Sequence, residues 1–118
     1  MGERERRLGA SGERRAVAWY RRAGYEIVAR NWRPSGRGLR GELDVVARRG
    51  DIIVICEVKT RSTDRFGSPI EAITREKAAR IRRLASAYLA DSGVRSRVIR
   101  FDVAEVRPGS VTVVEGAF

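Results

Sequence analysis

Apolar residues recur along this chain in short bursts whose spacing switches between helical and strand-like. Between Ser11 and Ala23, the residues Ala16, Val17 and Tyr20 fall on one helical face, and Gly24 supplies a stop. Residues 1–8 are charged without apolar period, which predicts a flexible N-terminus ahead of a single domain over 9–118. Tyr25 to Trp32 reads as a strand, and residues 33–41 as a loop rich in Gly and Arg. Glu42–Arg48 and Ile52–Arg61 follow as strands around the hairpin signal Arg49-Gly50-Asp51.

The second of these runs is apolar at both parities. Ile53 and Ile55 take one face, while Ile52, Val54, Cys56 and Val58 take the other. A strand buried on both faces belongs in the middle of a covered sheet. After a loop over 62–73 containing Gly67 and Pro69, Thr74 is placed to cap a helix running to about Asp91. Its apolar stripe is Ile81, Leu84, Ala85, Tyr88 and Leu89; its other face carries Arg75, Lys77, Arg80, Arg82 and Arg83. Ser92-Gly93 ends it, and Arg97–Val106 and Ser110–Glu115 form strands around Pro108-Gly109. The order α-β-β-β-α-β-β predicts an α/β sandwich with a helix on each face of a mixed sheet.

Length and composition narrow this further. A chain of 118 residues with 42% hydrophobic content is one domain with one core. The longest apolar run, Ile52–Cys56, is too short to span a bilayer, and the charged opening residues are unlike a signal peptide. Cys56 stands alone and so forms no internal disulfide, which points to a reduced, cytoplasmic protein. Histidine is absent, which excludes histidine triads and, with one cysteine, the usual zinc sites. Catalysis here has to come from carboxylates, lysine, hydroxyls or a hard metal ion.

The net charge is +10, with +7 over residues 1–40, +5 over 41–100 and −2 over 101–118. Such a field attracts polyanions, nucleic acid above all, unless the excess is only a general bias toward arginine. Of the 25 basic residues, 23 are arginine and two are lysine, Lys59 and Lys77. Arginine is a fixed fork, whereas lysine is a compact ammonium suited to a water or an oxyanion. Lys59 closes the buried strand two residues after Glu57. Lys77, Arg80, Arg61 and the loop residues Arg33, Arg37 and Arg40 are candidate phosphate contacts, with plain solvated surface as the other reading.

The hairpin makes a geometric statement. A Gly50-Asp51 turn gives paired positions that sum to 101 and sets Asp44 opposite Glu57. A turn at Arg49-Gly50 pairs Glu42 with Glu57 and leaves Asp44 diagonal. Opposed side chains stand about 4.5–5.5 Å apart at Cβ. Two carboxylates so close repel unless a cation separates them. Two carboxylates with waters suit Mg²⁺, and Lys59 shares their strand face with Glu57. Glu13 lies on the sheet-facing stripe of the first helix, either as a further metal-site member or as an acid favoured by the helix dipole. Trp19 and Trp32 read as packing residues.

Read in order, Gly12-Glu13, Asn31-Trp32-Arg33, Gly41-Glu42-Leu43-Asp44, Glu57-Val58-Lys59-Thr60-Arg61, Phe66-Gly67-Ser68-Pro69 and Arg100-Phe101-Asp102-Val103 resemble the YraN-like family of bacterial proteins. The resemblance covers about residues 9–106. That family is similar to the restriction-endonuclease-like PD-(D/E)xK superfamily, especially archaeal Holliday-junction resolvases. The resemblance implies a three-layer α/β/α sandwich with a central mixed β-sheet, and catalytic and metal-binding acids at Glu13, Asp44 and Glu57 with Lys59 beside them. Leu43 stands where the superfamily name has proline. The implied activity is Mg²⁺- or Mn²⁺-dependent hydrolysis of DNA, with branched or structured DNA among the implied substrates, by a protein that acts as a homodimer. The alternative is a catalytically weak or inactive nucleic-acid-binding protein of the same fold.

Overall fold

The computed structural model describes residues 3–36, 38–61 and 73–118, with side chains from Ala10 onward. Its elements are α1 (Glu3–Arg22), β1 (Glu26–Trp32), β2 (Leu43–Arg49), β3 (Ile52–Thr60), α2 (Arg75–Ser92), β4 (Val98–Arg107) and β5 (Ser110–Val114). The order matches the predicted one. Helix α1 begins at Glu3, however, well before Ser11 and inside the stretch expected to fray. Glu and Arg are strong helix formers, so the charged segment continues the helix without needing an apolar stripe of its own. The predicted loop over 62–73 falls almost wholly outside the described residues.

Five strands form one sheet in the order β1-β2-β3-β4-β5. β3 pairs antiparallel with β2 and parallel with β4, and the outer pairs are antiparallel. The parallel step requires a crossover, which α2 supplies. Helix α1 buries Ala16, Val17 and Tyr20 against Val45, Ala47, Val54, Cys56 and Ala104 on one face. Helix α2 buries Ile81, Leu84, Ala85 and Tyr88 against Val46, Ile53, Ile55 and Phe101 on the other. The double parity of β3 therefore feeds two cores, and the molecule is an α/β/α sandwich with a central mixed sheet, consistent with the restriction-endonuclease-like fold. Trp19 and Trp32 pack against these cores, edge-on to Tyr20 and Tyr88. Among the described residues, no helix is long and apolar enough to cross a membrane.

Two devices fix the helices. Thr74 Oγ1 accepts from the Lys77 N–H at 3.1 Å, and the Gly93 N–H donates to the Leu89 carbonyl, closing α2 at both ends. Helix α1 is tied down by Tyr20, whose hydroxyl donates to fully buried Asp102 at 2.6 Å. Asp102 also accepts from Arg100 through two nitrogens and from the Gly116 N–H. A buried carboxylate with this many donors is fully satisfied. Burial, with Cys56 and Asp102 adding to it, pushes the Tyr20 hydroxyl far above its ordinary pKa, so it stays a neutral donor.

Candidate active site at the end of the central hairpin

The β2–β3 ladder runs from Arg49↔Ile52 to Val45↔Cys56, every pair summing to 101. The Gly50-Asp51 turn is the one formed. One step further the main-chain ladder stops. Asp44 Oδ2 accepts the Val58 N–H at 2.8 Å, a side chain taking the place of a strand carbonyl. By the period of two, Asp44 shares a face with Val46, and Glu57 with Ile55, so both lie on the α2 side.

There the Asp44 and Glu57 carboxyls are close neighbours, and each disfavours the charge of the other. Burial raises Asp44 to about 7, with the Glu57 and Glu13 charges adding to the effect and the Val58 N–H opposing it. Glu57 holds two cations. Lys77 Nζ lies 2.8 Å from its Oε1 and Lys59 Nζ 3.6 Å from the same atom. Burial and the adjacent Lys77 ammonium hold Lys59 below its ordinary pKa. Lys77 is held above its own: burial is the largest single influence and works against its charge, but the Glu57 hydrogen bond, the Lys59 contact and the Glu57 and Asp44 charges together outweigh it.

Glu13 reaches the same place from α1. Its position follows from Gly12, where a Cβ would run into the Thr60 hydroxyl of β3. Glycine costs an interior helical position about 1 kcal/mol relative to alanine, and here that cost permits the approach of helix to strand. One carboxylate oxygen from each of Glu13, Glu42 and Asp44 lies within 4.8 Å of the other two. Among the described residues this is the group of three acids able to share one ion. Three hard oxygen donors at that separation fit Mg²⁺ or Mn²⁺. Glu57 stands beside the group, turned to the lysines.

Glu42 was absent from the predicted metal set. In the hairpin pattern Glu42 is only a rival partner for Glu57, yet it lies outside β2 and comes close to Glu13. The signal that could have found it is Gly41, whose φ of +114° disfavours a side chain and which lies against Leu84 of α2. A close-packed glycine next to an acid marks a bend toward a site. Gly41, Glu42, Asp44, Glu57, Lys77 and Arg80 together line an open cleft of about 320 Å³.

The predicted phosphate contacts divide. Arg80 is exposed at this cleft and Arg40 is exposed nearby in sequence. Arg33 is 76% exposed but donates to Glu42 at 3.0 Å. Arg61 is half-buried and donates to Glu105 at 2.9 Å, and Lys77 is on Glu57. Arg37 lies outside the described residues.

A family model described as uncharacterised protein family UPF0102 matches residues 12–106, a span holding every acid and lysine of this site. A UPF0102 protein of Beutenbergia cavernae is 50% identical over 99 residues, covering 84% of this chain and 80% of that one. One from Symbiobacterium thermophilum is 46% identical over 104 residues, covering 88% and 85%. One from Moorella thermoacetica is 43% identical over 119 residues, covering 96% of each chain.

Proposed function

The chain belongs to the uncharacterised protein family UPF0102, and we propose that it is a metal-dependent endonuclease of the PD-(D/E)xK kind. Its substrate is DNA, in branched or otherwise structured form. The observation that carries this reading is the meeting of Glu13, Glu42 and Asp44 within 4.8 Å beside a glutamate that holds both lysines of the chain. A sheet has no structural use for so many acids at one strand end. A bound Mg²⁺ or Mn²⁺ would supply Lewis-acid polarisation of the phosphate.

The chain's own groups do the rest. Glu13, Glu42 and Asp44 offer the ligand oxygens. Glu57 holds Lys59 by the strand geometry that places them on one face. The Lys59 ammonium orients the attacking water or meets charge developing on the phosphate oxygens. Arg80, exposed at the cleft, is placed to contact the backbone of the substrate.

A second reading is a nucleic-acid-binding protein of the same fold with little or no cleavage. It is favoured by the internal counter-ions, since Lys77 and Lys59 neutralise Glu57 and Arg33 neutralises Glu42 without any metal. The test is cleavage of linear, flapped and four-way DNA with Mg²⁺ or Mn²⁺, comparing wild type with Lys59→Ala and Asp44→Ala. Metal-dependent products lost in both variants support the endonuclease. Tight, salt-sensitive binding without products leaves the second reading, and absence of binding at low salt overturns both.

A further inference from the structure

Glu42 belongs to two arrangements at once. It is one of the three acids that converge at the candidate active site, and it is also the partner of Arg33. Beyond the irregularity in β1, the β1–β2 pairs sum to 75, from Ala29↔Val46 to Trp32↔Leu43. Arg33 and Glu42 are the next pair in that register. Their side chains extend the ladder by one rung past the ends of both strands, with Arg33 Nε donating to Glu42 Oε2 at 3.0 Å.

This makes Glu42 a contested ligand. Among the described residues, Arg33 is the only cation in an ion pair with any of the three acids. The Arg33 side chain is 76% exposed, and an exposed pair holds weakly, because water screens the attraction and a long side chain gives up rotamer freedom. A divalent ion carries twice the charge of a guanidinium and draws on Glu13 and Asp44 as well. The two oxygens of one carboxylate are too close together to keep both cations without strong repulsion between them. In that competition the ion takes Glu42 and Arg33 lets go.

The released arginine is already at the right place. Pro34 disfavours helical backbone at Arg33, so the exchange is a movement of the side chain alone. Glu42 lines the open cleft together with Arg80, which sets Arg33 at its rim. A guanidinium freed beside the metal site has a planar fork suited to two phosphate oxygens.

We propose that Arg33 is a metal-released phosphate contact, held on Glu42 in the metal-free protein and passed to a backbone phosphate of the substrate when Glu42 takes up the divalent ion. Metal and nucleic acid then strengthen each other's binding by equal factors, as linkage requires. The proposal rests on the endonuclease reading. Its test has two arms, both on the intact protein. In the first, Mg²⁺ is titrated while NMR follows the Arg33 Nε–H, with the Glu42 and Asp44 amides reporting metal uptake. The Nε–H should shift in step with the amides and exchange faster with water. Amides that titrate while the Arg33 Nε–H stays unchanged overturn the exchange and leave the endonuclease reading standing. In the second, binding of a labelled four-way DNA is measured at fixed ionic strength in EDTA and in Ca²⁺, for wild type, Arg33→Gln and Arg80→Gln. Wild type should bind about tenfold tighter in Ca²⁺, and Arg33→Gln should keep about a third of that gain or less. Arg80→Gln should weaken binding alike in both conditions and keep the wild-type ratio. No gain from Ca²⁺ in wild type, or a wild-type ratio in Arg33→Gln, overturns the exchange. Absence of both Mg²⁺ uptake and metal-dependent cleavage overturns the endonuclease reading and the exchange with it.

Discussion

Lys77 Nζ sits 2.8 Å from Glu57 Oε1, closer than Lys59 at 3.6 Å, so the two lysines of an otherwise all-arginine basic complement meet at one carboxylate. They arrive by different routes. Lys59 shares a strand with Glu57, whereas Lys77 is delivered by the first turn of α2, which Thr74 caps. Neither ammonium is exposed by more than a third.

The two should therefore differ in weight under single-turnover conditions. Lys59→Ala is expected to slow cleavage by roughly 10²–10⁴-fold, as loss of a positioned proton-transfer or charge-stabilising group does. Lys77→Ala should cost about tenfold, or about 1.4 kcal/mol, because Lys59 still neutralises Glu57. The double variant should be little worse than Lys59→Ala alone. The reverse ranking would move the catalytic role to Lys77.

Asp44 should destabilise the metal-free protein. Its carboxyl is held at about 7 in the fold against an ordinary value of 3.8. Between those values the folded state binds the proton more tightly than the unfolded state, so this contribution to stability falls as pH rises from about 4 to about 7. Asp44→Asn keeps an acceptor for the Val58 N–H and mimics the protonated acid. One pKa unit is about 1.4 kcal/mol, and Asp44 keeps some solvent, so the variant should gain roughly 1–2 kcal/mol at pH 8 and almost nothing at pH 4. Denaturant melts at the two pH values check this; an equal gain at both would remove the electrostatic explanation.

Divalent metal should reverse that penalty. Mn²⁺ or Mg²⁺ at about 100 times its Kd should stabilise wild type by about 2.7 kcal/mol, read as a rise in Tm. Glu42→Gln and Asp44→Asn should lose most of that rise. If Glu42→Gln keeps the full shift, Glu42 is not a ligand.

Gly12→Ala should destabilise by about 1–3 kcal/mol despite the better helix propensity of alanine, because the new methyl meets Thr60. Threonine is β-branched, so turning its hydroxyl away brings its methyl round instead. Adding Thr60→Ala should recover much of the loss, a non-additivity of about 1 kcal/mol or more in a double-mutant cycle. Strict additivity would mean that the two residues do not touch in solution.

Glu105 should make the protein acid-sensitive. Burial alone would raise its pKa, but the Arg107 and Arg61 guanidiniums hold it below the ordinary 4.5. A carboxylate depressed in the fold contributes stability that is complete above 4.5 and disappears as pH falls through its folded value. Glu105→Gln should cost about 1–3 kcal/mol at pH 7 and flatten the acid limb of the stability profile. An unchanged acid limb would place the acid sensitivity elsewhere.

The fold was legible wherever burial wrote a period into the chain. The double-parity run of β3, the pair sum of 101 across the hairpin and the Thr74 cap all follow from local rules. The start of α1 was not legible, because a helix carried by propensity has no apolar rhythm to read. At the site, Asp44, Glu57 and Lys59 were readable because one hairpin holds them. Glu42 was not, since its approach to Glu13 depends on how α1 docks, and docking distance is not a periodic property. The same holds for Arg33 and Arg61, whose acids lie on other segments, and for the Tyr20–Asp102 bond that links α1 to β4.

The contact of Gly12 with Thr60 also makes a fulcrum. Helix and strand meet there with no side chain on the helix to compress, whereas the Tyr20 end of α1 is held through side chains, by the Tyr20–Asp102 hydrogen bond and the packing around it. Repacking that core should tilt the helix about Gly12, and the residue next to a pivot travels least. Glu13 is that residue, so drift in the α1 core can accumulate with little displacement of the acid at the site.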